Sequence, residues 1–264
     1  MLKKNFVNTQ RKVSLLSELI PLRYSEYLPI EEMTIERLHR FAQANPIYQG
    51  SHESNISNVP CRVYEGDINR YWLSSKKYDT SYQSFYPTWI LSAFSLVLKA
   101  KLLGFEQIVD IGSGDGRIAY CARLLGMQAF GIEIVEDLIL LQEIISERTG
   151  IKYDAVPADA TRFDYRSLPI SHPMFFISGL PEMGEMLACS VIDQIRSIGH
   201  LKRNSGFTFM GSHEMRSLSR DHTTWGWGSV ISRFGLAFIC EVTLPTHWTT
   251  DQMIDTAYVF TKFK

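Results

Sequence analysis

The chain has 264 residues, 45% of them apolar and 21% charged, with a formal net charge of −1. That is enough apolar material for one sizeable core and a smaller appendage. The balanced charge excludes a basic field that would hold nucleic acid tightly and without sequence preference. Lys3, Lys4, Arg11 and Lys12 make the N-terminus basic, a pattern that ordinarily marks a solvated tail. Cys61, Cys121, Cys189 and Cys240 are scattered, with no C-x-x-C and no histidine at metal spacing, so no metal site and no disulfide framework is expected. Cys121 and Cys189 read as small core residues, and a reducing, cytoplasmic setting fits this usage. The longest apolar run, 89–98, is broken by Ser92 and Ser95 and followed by Lys99 and Lys101, which is too short and interrupted for a bilayer. No signal-peptide core is expected near the N-terminus.

In chain order, 14–20 and 30–44 are expected as helices. The stretch 49–86 is rich in Ser, Asn and Tyr and has little periodicity. Its aromatics (Tyr64, Tyr71, Trp72, Tyr78, Tyr82, Phe85, Tyr86) are too many for a disordered linker. Residues 1–83 are therefore read as an ordered N-terminal extension, helical or irregular. It either covers a ligand mouth or packs as a plain addition to the sheet.

From 84 to 264 strands and helices alternate, the pattern of a parallel sheet covered on both faces. A helix is expected over 89–103, stopped by Gly104. A strand follows at 107–111, a helix at 115–125 ended by Gly126, and a strand at 128–132. The helix 135–149 shows Leu138, Leu141 and Ile145 on one face and ends at Gly150. Strands are expected at 152–156 and 174–178, a helix at 184–198, and strands at 206–210, 236–244 and 256–262.

The strand-to-helix turn after 107–111 reads Asp110-Ile111-Gly112-Ser113-Gly114-Asp115-Gly116-Arg117. Its glycines let backbone approach a ligand, and the N–H groups that open the next helix point the same way. A dinucleotide fingerprint is G-x-G-x-x-G. Here the spacing is G-x-G-x-G, and the acid Asp115 would repel a pyrophosphate. Asp110 adds a second negative charge where an amino group could be held. No Lys-Ser/Thr follows the third glycine, which excludes a P-loop. These features suit S-adenosyl-L-methionine, which carries a sulfonium, an ammonium and a carboxylate but no phosphate. Glu133, about 20 residues on, is placed to accept from a ribose diol, and equally to sit as a helix N-terminal acid.

Residues 109–118 resemble motif I of the class I S-adenosylmethionine-dependent methyltransferases. Phe130-Gly131-Ile132-Glu133 is similar to the family's acid after the second strand. Pro157-Ala158-Asp159-Ala160 resembles its motif after the third strand. The matches fall in the family's order over roughly 80–163. Tyr86-Pro87-Thr88, ahead of the glycine turn, is most similar to small archaeal-type protein-lysine methyltransferases. The resemblance implies a Rossmann-like α/β fold with a seven-stranded, mostly parallel sheet, its last two strands an antiparallel hairpin and its helices on both faces. It implies cofactor contacts from Tyr86, Thr88, Asp110, Gly112, Ser113, Gly114, Glu133, Ile134, Asp159, Ala160 and Ser178. Asp159 is alternatively a helix cap.

The loop after the fourth strand, Ser178-Gly179-Leu180-Pro181-Glu182, should border the transferred methyl group. It lacks the Asn/Asp-Pro-Pro-Tyr/Phe sequence of the family's base and glutamine methylating members. Ser178 and Glu182 are the candidate catalytic residues, Glu182 orienting an amine or receiving its proton, with Glu185 nearby. Glu182 is otherwise a solvated helix N-terminal acid. Trp225-Gly226-Trp227-Gly228 either lines a substrate pocket or packs on the sheet end. His213, His222 and His247 have no visible partners. The favoured acceptor is an amine, with protein lysine first, a small-molecule O- or N-acceptor second and nucleic acid third. A noncatalytic S-adenosylmethionine-binding partner subunit is the rival from outside enzymes. No membrane partner is implied.

Overall fold

The computed structural model describes residues 16–26, 29–75, 85–177, 181–210, 226–245 and 255–264. The chain opens with β1 (Leu16–Pro21), α1 (Glu32–Ala44), the hairpin β2 (Tyr48–Ile56) and β3 (Val59–Gly66), and the short α2 (Asn69–Ser75). β3 pairs antiparallel with both β1 and β2, forming a three-stranded sheet in the order β1-β3-β2. This corrects two expectations. Of the helix expected over 14–20, the described part, 16–20, is strand: every residue of β1 is buried, and a helix would expose one side of the segment. The aperiodic stretch after residue 48 is a hairpin whose edge strand β2 is exposed from Gln49 to Glu53. Its serine-rich, polar sequence therefore shows no alternation, whereas Val59, Cys61 and Val63 of the inner strand do alternate.

The hairpin turns on Ser57 and Asn58, at φ 52° and 66°. Both are in the left-handed region, as a two-residue primed turn requires. Asn58→Gly should raise stability by about 0.5–1 kcal/mol in urea unfolding, because glycine adopts this conformation without a Cβ clash. An unchanged midpoint would contradict the reading of the turn.

The larger sheet follows the expected alternation. α3 (Ile90–Leu102) leads into β4 (Gln107–Ile111). Then come α4 (Arg117–Leu124), β5 (Gln128–Glu133), α5 (Glu136–Thr149), β6 (Asp154–Pro157) and β7 (Pro173–Ile177). α6 (Pro181–Arg196), α7 (Gly199–Asn204), β8 (Gly206–Met210), α8 (Gly226–Phe234), β9 (Ala237–Pro245) and β10 (Asp255–Lys262) complete it. The strand order is β6-β5-β4-β7-β8-β10-β9. β4 to β8 pair in parallel, and β10 runs antiparallel to both β8 and β9, as the resemblance implied. Element ends differ from expectation by at most three residues, and α7 and α8 were not foreseen.

Two apolar layers hold the sheet. On one face β4 and β7 contribute Ile108, Met174 and Phe176. They pack with α3, α4 and α5 and with Leu16, Ile35, Leu38 and Phe41 of the N-terminal elements. On the other face Val109, Ile111, Phe175 and Ile177 pack with α6, α7 and α8. The branched and aromatic residues of β4 and β7 are buried on both faces, so each contributes about 1.5–3 kcal/mol of apolar burial. Cys121 and Cys189 are buried, unbridged core residues. No helix among the described residues is long and apolar enough to cross a membrane.

Candidate functional site

The chain order reverses between β4 and β7, which lie side by side in register from Gln107↔Pro173 to Ile111↔Ile177. In such a sheet the crevice for a ligand opens beyond the carboxyl ends of the strands at this point. The glycine turn leaves β4 there, with Gly112, Gly114 and Gly116 at φ 71°, 57° and 76°. Backbone of this hand, repeated three times within five residues, is accessible essentially only to glycine. A Cβ at Gly112 would meet nothing within 4 Å, so space is open above it. A Cβ at Gly114 would come within 2.8 Å of the Phe85 ring.

Glu133, at the end of β5, reaches back to the turn. Its Oε2 accepts from Gly114 N–H at 2.8 Å, and its Oε1 from the Ile134 and Val135 N–H groups at 2.9 and 3.0 Å. Burial pushes its carboxyl up, and these three N–H donors oppose that shift. Glu133 thus joins the turn to the start of α5. From the other side Gln142 of α5 donates to Ser113 Oγ at 3.0 Å and to the Gly114 carbonyl at 2.9 Å. Both polar groups of the Gly114 peptide positions are therefore held by side chains of one neighbouring unit.

Asp110 is 3% exposed at the end of β4. Burial first, then the negative charges of Glu133 and Asp115, push its carboxyl up to about 8. Asp115 is placed differently from the sequence expectation. Its carboxylate does not stand in the turn to repel phosphate. It turns toward the N-terminal elements, where it accepts from Arg117 Nε at 2.8 Å and from Asn45 Nδ2 at 2.9 Å, and pairs with Arg117 Nη2. The guanidinium of the next charged residue is a stronger claim on that carboxylate than any open space could be.

Asp159 lies past β6, partly exposed. Its Oδ1 accepts from Thr161 N–H at 2.8 Å and Thr161 Oγ1 at 2.7 Å, a local capping arrangement, while Oδ2 lies 3.8 Å from Arg162 Nε. Ala160 is buried, and its carbonyl accepts from Tyr165 Oη. Tyr86 is half exposed and its Oη accepts from Trp72 Nε1 at 3.0 Å. Thr88 Oγ1 lies 3.2 Å from Tyr258 Oη. Ser178 lies outside the described residues, and so do Trp225, His213, His222 and His247. Glu182 falls in the first turn of α6, but its side chain also lies outside them. β7 ends at Ile177, level with Ile111 at the start of the glycine turn. Glu185 accepts from Ser229 Oγ at 3.2 Å, linking α6 to α8. Trp227 is 1% exposed and stacks on Phe209 with centroids 5.0 Å apart. It is a core residue of α8, not part of a pocket wall.

Sequence reasoning missed the residues that brace the turn: Glu18, Asn45, Phe85, Arg117 and Gln142. One signal was present. Glu18 sits inside the fully buried run of β1, and a buried carboxylate demands a cation.

No protein-family model matches the chain, and no curated protein sequence matches it. Solved structures do. A protein of Pyrococcus horikoshii, described provisionally as the RNA methyltransferase PH1948, has a TM-score of 0.50 at 12% identity, over 86% of this chain and 96% of its own. The PH0226 protein of Pyrococcus horikoshii OT3 has a TM-score of 0.49 at 11% identity, over 66% of this chain and 89% of its own. Magnesium protoporphyrin IX methyltransferase of Synechocystis PCC 6803, solved with S-adenosylmethionine, has 0.46 at 10% identity, over 66% and 78%. The likeness to PH1948 shows the fold alone, a Rossmann-like α/β sheet.

Proposed function

We propose that this chain is a class I S-adenosylmethionine-dependent methyltransferase whose acceptor is an amine, with a protein lysine favoured. The observation that supports it best is electrostatic. Asp110 and Glu133 are buried beside an open glycine turn, and the cation nearest that turn, Arg117, is already engaged by Asp115 and Glu18. The site thus holds two buried carboxyl groups that have no counterion among the described residues. It fits a ligand carrying a sulfonium and an ammonium. The space above Gly112 suits the close approach of that ligand.

In this reading Asp110 takes the ammonium, and Gly112, Ser113 and Gly114 present backbone to the methionine end. Glu133 accepts from the ribose hydroxyls through its remaining lone pairs. Ile134 flanks the base, and Asp159 with Ala160 recognises its exocyclic amine and edge. Tyr86 and Thr88 close the near side, and residues 1–83 cover the mouth. The bound cofactor supplies an electrophilic methyl carbon and a good leaving group. The protein's part is to align the acceptor nitrogen, exclude water and receive a proton. Ser178 and Glu182 are the residues proposed for this, with Glu182 taking the amine proton.

Asp110→Ala and Glu133→Ala should each weaken S-adenosylmethionine binding by about 1.5–3 kcal/mol without unfolding the chain. Unchanged affinity in both, measured by calorimetry, would remove the assignment. Labelled methyl donor added with a cell extract should label protein; label entering only small molecules would contradict the lysine acceptor.

The raised Asp110 carboxyl gives a pH dependence. Burial and the neighbouring acids push it up to about 8, so the folded protein holds a proton that the unfolded chain releases near pH 4. Its stability contribution is fully present below about pH 4 and is lost as pH rises through 8. The ligand-free protein should therefore melt at lower temperature at pH 8.5 than at pH 5. Cofactor affinity runs the other way. An ammonium favours ionised Asp110, so affinity should rise from pH 6 to 7.5 by up to about tenfold per unit. A flat profile, or one falling with pH, would contradict the Asp110 role.

A further inference from the structure

We propose that Arg117 is a positioning residue that fixes the two walls of the cofactor cleft against each other. The inference rests on the reading of the glycine turn as the cofactor site. Arg117 follows the third glycine and opens α4, yet its side chain is only 5% exposed and turns away from solvent. Its guanidinium fork takes Asp115 of the turn through Nε and Nη2. Nη1 donates to the Thr88 carbonyl and to Glu18 Oε2, the latter at 3.1 Å. Nη2 also reaches Tyr48 Oη at 3.4 Å, and the Phe41 ring lies under the guanidinium at 5.6 Å.

Two of these partners define opposite sides of the proposed cleft. Asp115 belongs to the turn that faces the methionine end. Thr88 belongs to the 86–90 strip, whose Phe85 neighbour rests on Gly114. Glu18 fastens the strip a second time, because the same Oε2 accepts from Ile90 N–H at 3.1 Å. The strip is thus held on either side of Trp89 by one ion pair, and that pair is anchored in β1. Its other oxygen, Oε1, is buried without a partner among the described residues, so the pair with Arg117 is the main compensation for a carboxylate brought into β1. A planar fork meets Asp115, Thr88 and Glu18 together. A lysine ammonium, which presents a single point, cannot span all three. Arg117 touches no proposed ligand position itself. It acts through the spacing of the turn and the strip.

The test compares two ligands in the full chain by calorimetry. S-adenosylhomocysteine has the amino-acid tail that lies between turn and strip; methylthioadenosine lacks it. In Arg117→Lys the first should bind at least tenfold more weakly and the second less than threefold more weakly. Amide hydrogen exchange across 86–90 and 112–116 should be faster than in the wild type. Glu18→Gln keeps an acceptor for Ile90 but loses the charge. It should show the same selective loss at about three- to fivefold, and it decides the matter if Arg117→Lys fails to fold. Equal weakening of both ligands would mean a merely structural role, and no weakening in a folded variant would mean no role; either overturns the proposal. Binding of neither ligand by the wild-type chain overturns the cofactor reading itself and the tie with it.

Discussion

Arg117→Met should cost the protein about 3–5 kcal/mol in urea unfolding, the largest loss expected from any single substitution near the site. Methionine matches the length and apolar stem of arginine, so the loss is electrostatic and not a cavity effect. Asp115 is 1% exposed and Glu18 2%. With the guanidinium gone, Asp115 keeps only the Asn45 amide at 2.9 Å, and Glu18 keeps Tyr48 Oη and Ile90 N–H. Two carboxylates would then share a buried region with no cation, and one of them must take up a proton or the N-terminal sheet must lift away. Asp115→Asn added to Arg117→Met should recover part of the loss, because it removes a buried charge that no longer has a counterion. A loss below about 1 kcal/mol would show that the pair is solvated or interchangeable, contrary to the burial of its members.

Gly116→Ala should cost about 2–4 kcal/mol. Two penalties add at this position. The φ of 76° is left-handed, where an L side chain is strained. The new Cβ would also stand 2.0 Å from Tyr153 Oη and 2.7 Å from its ring carbon. Tyr153 is partly buried beneath the turn against α5, so its ring has little room to retreat. At Gly126, with φ 77° and nothing within 4 Å of a built Cβ, alanine should cost only the conformational part, about 1–2 kcal/mol. Equal losses at the two positions would show that the Tyr153 contact is soft.

The centre of the parallel half was legible because β4 and β7 are buried on both faces. Val109, Ile111, Phe175 and Ile177 have no polar alternation to obscure them, and Gly104, Gly126 and Gly150 mark the ends of α3, α4 and α5. The N-terminal sheet was not legible. β1 is short and buried throughout, so an apolar run of that length reads equally as strand or helix. β2 is an exposed edge strand with no apolar face, so it carries no period. α8 was hidden behind Gly226 and Gly228, which read as turn residues but are buried where the helix packs Trp227 against Phe209.

The site divides in the same way. Asp110, the glycines and Glu133 are local to two strand ends, and their spacing alone brings them to one rim. The bracing of that rim is long-range. Arg117 lies 99 residues from Glu18 and 69 from Tyr48 in sequence. No local pattern predicts those partners. The Asp115 case shows the consequence. Its charge was legible, but the direction of its side chain depended on a residue two positions on and on an asparagine 70 positions back.

The central claim is that the bend after β4 accommodates a cationic sulfur nucleoside. Isothermal calorimetry of the purified chain against S-adenosylmethionine and S-adenosylhomocysteine, with a nicotinamide dinucleotide as comparison, tests it most directly. Saturable heat with both sulfur nucleosides and none with the dinucleotide is the predicted result. Uptake of the dinucleotide with no heat from either sulfur compound would contradict the account.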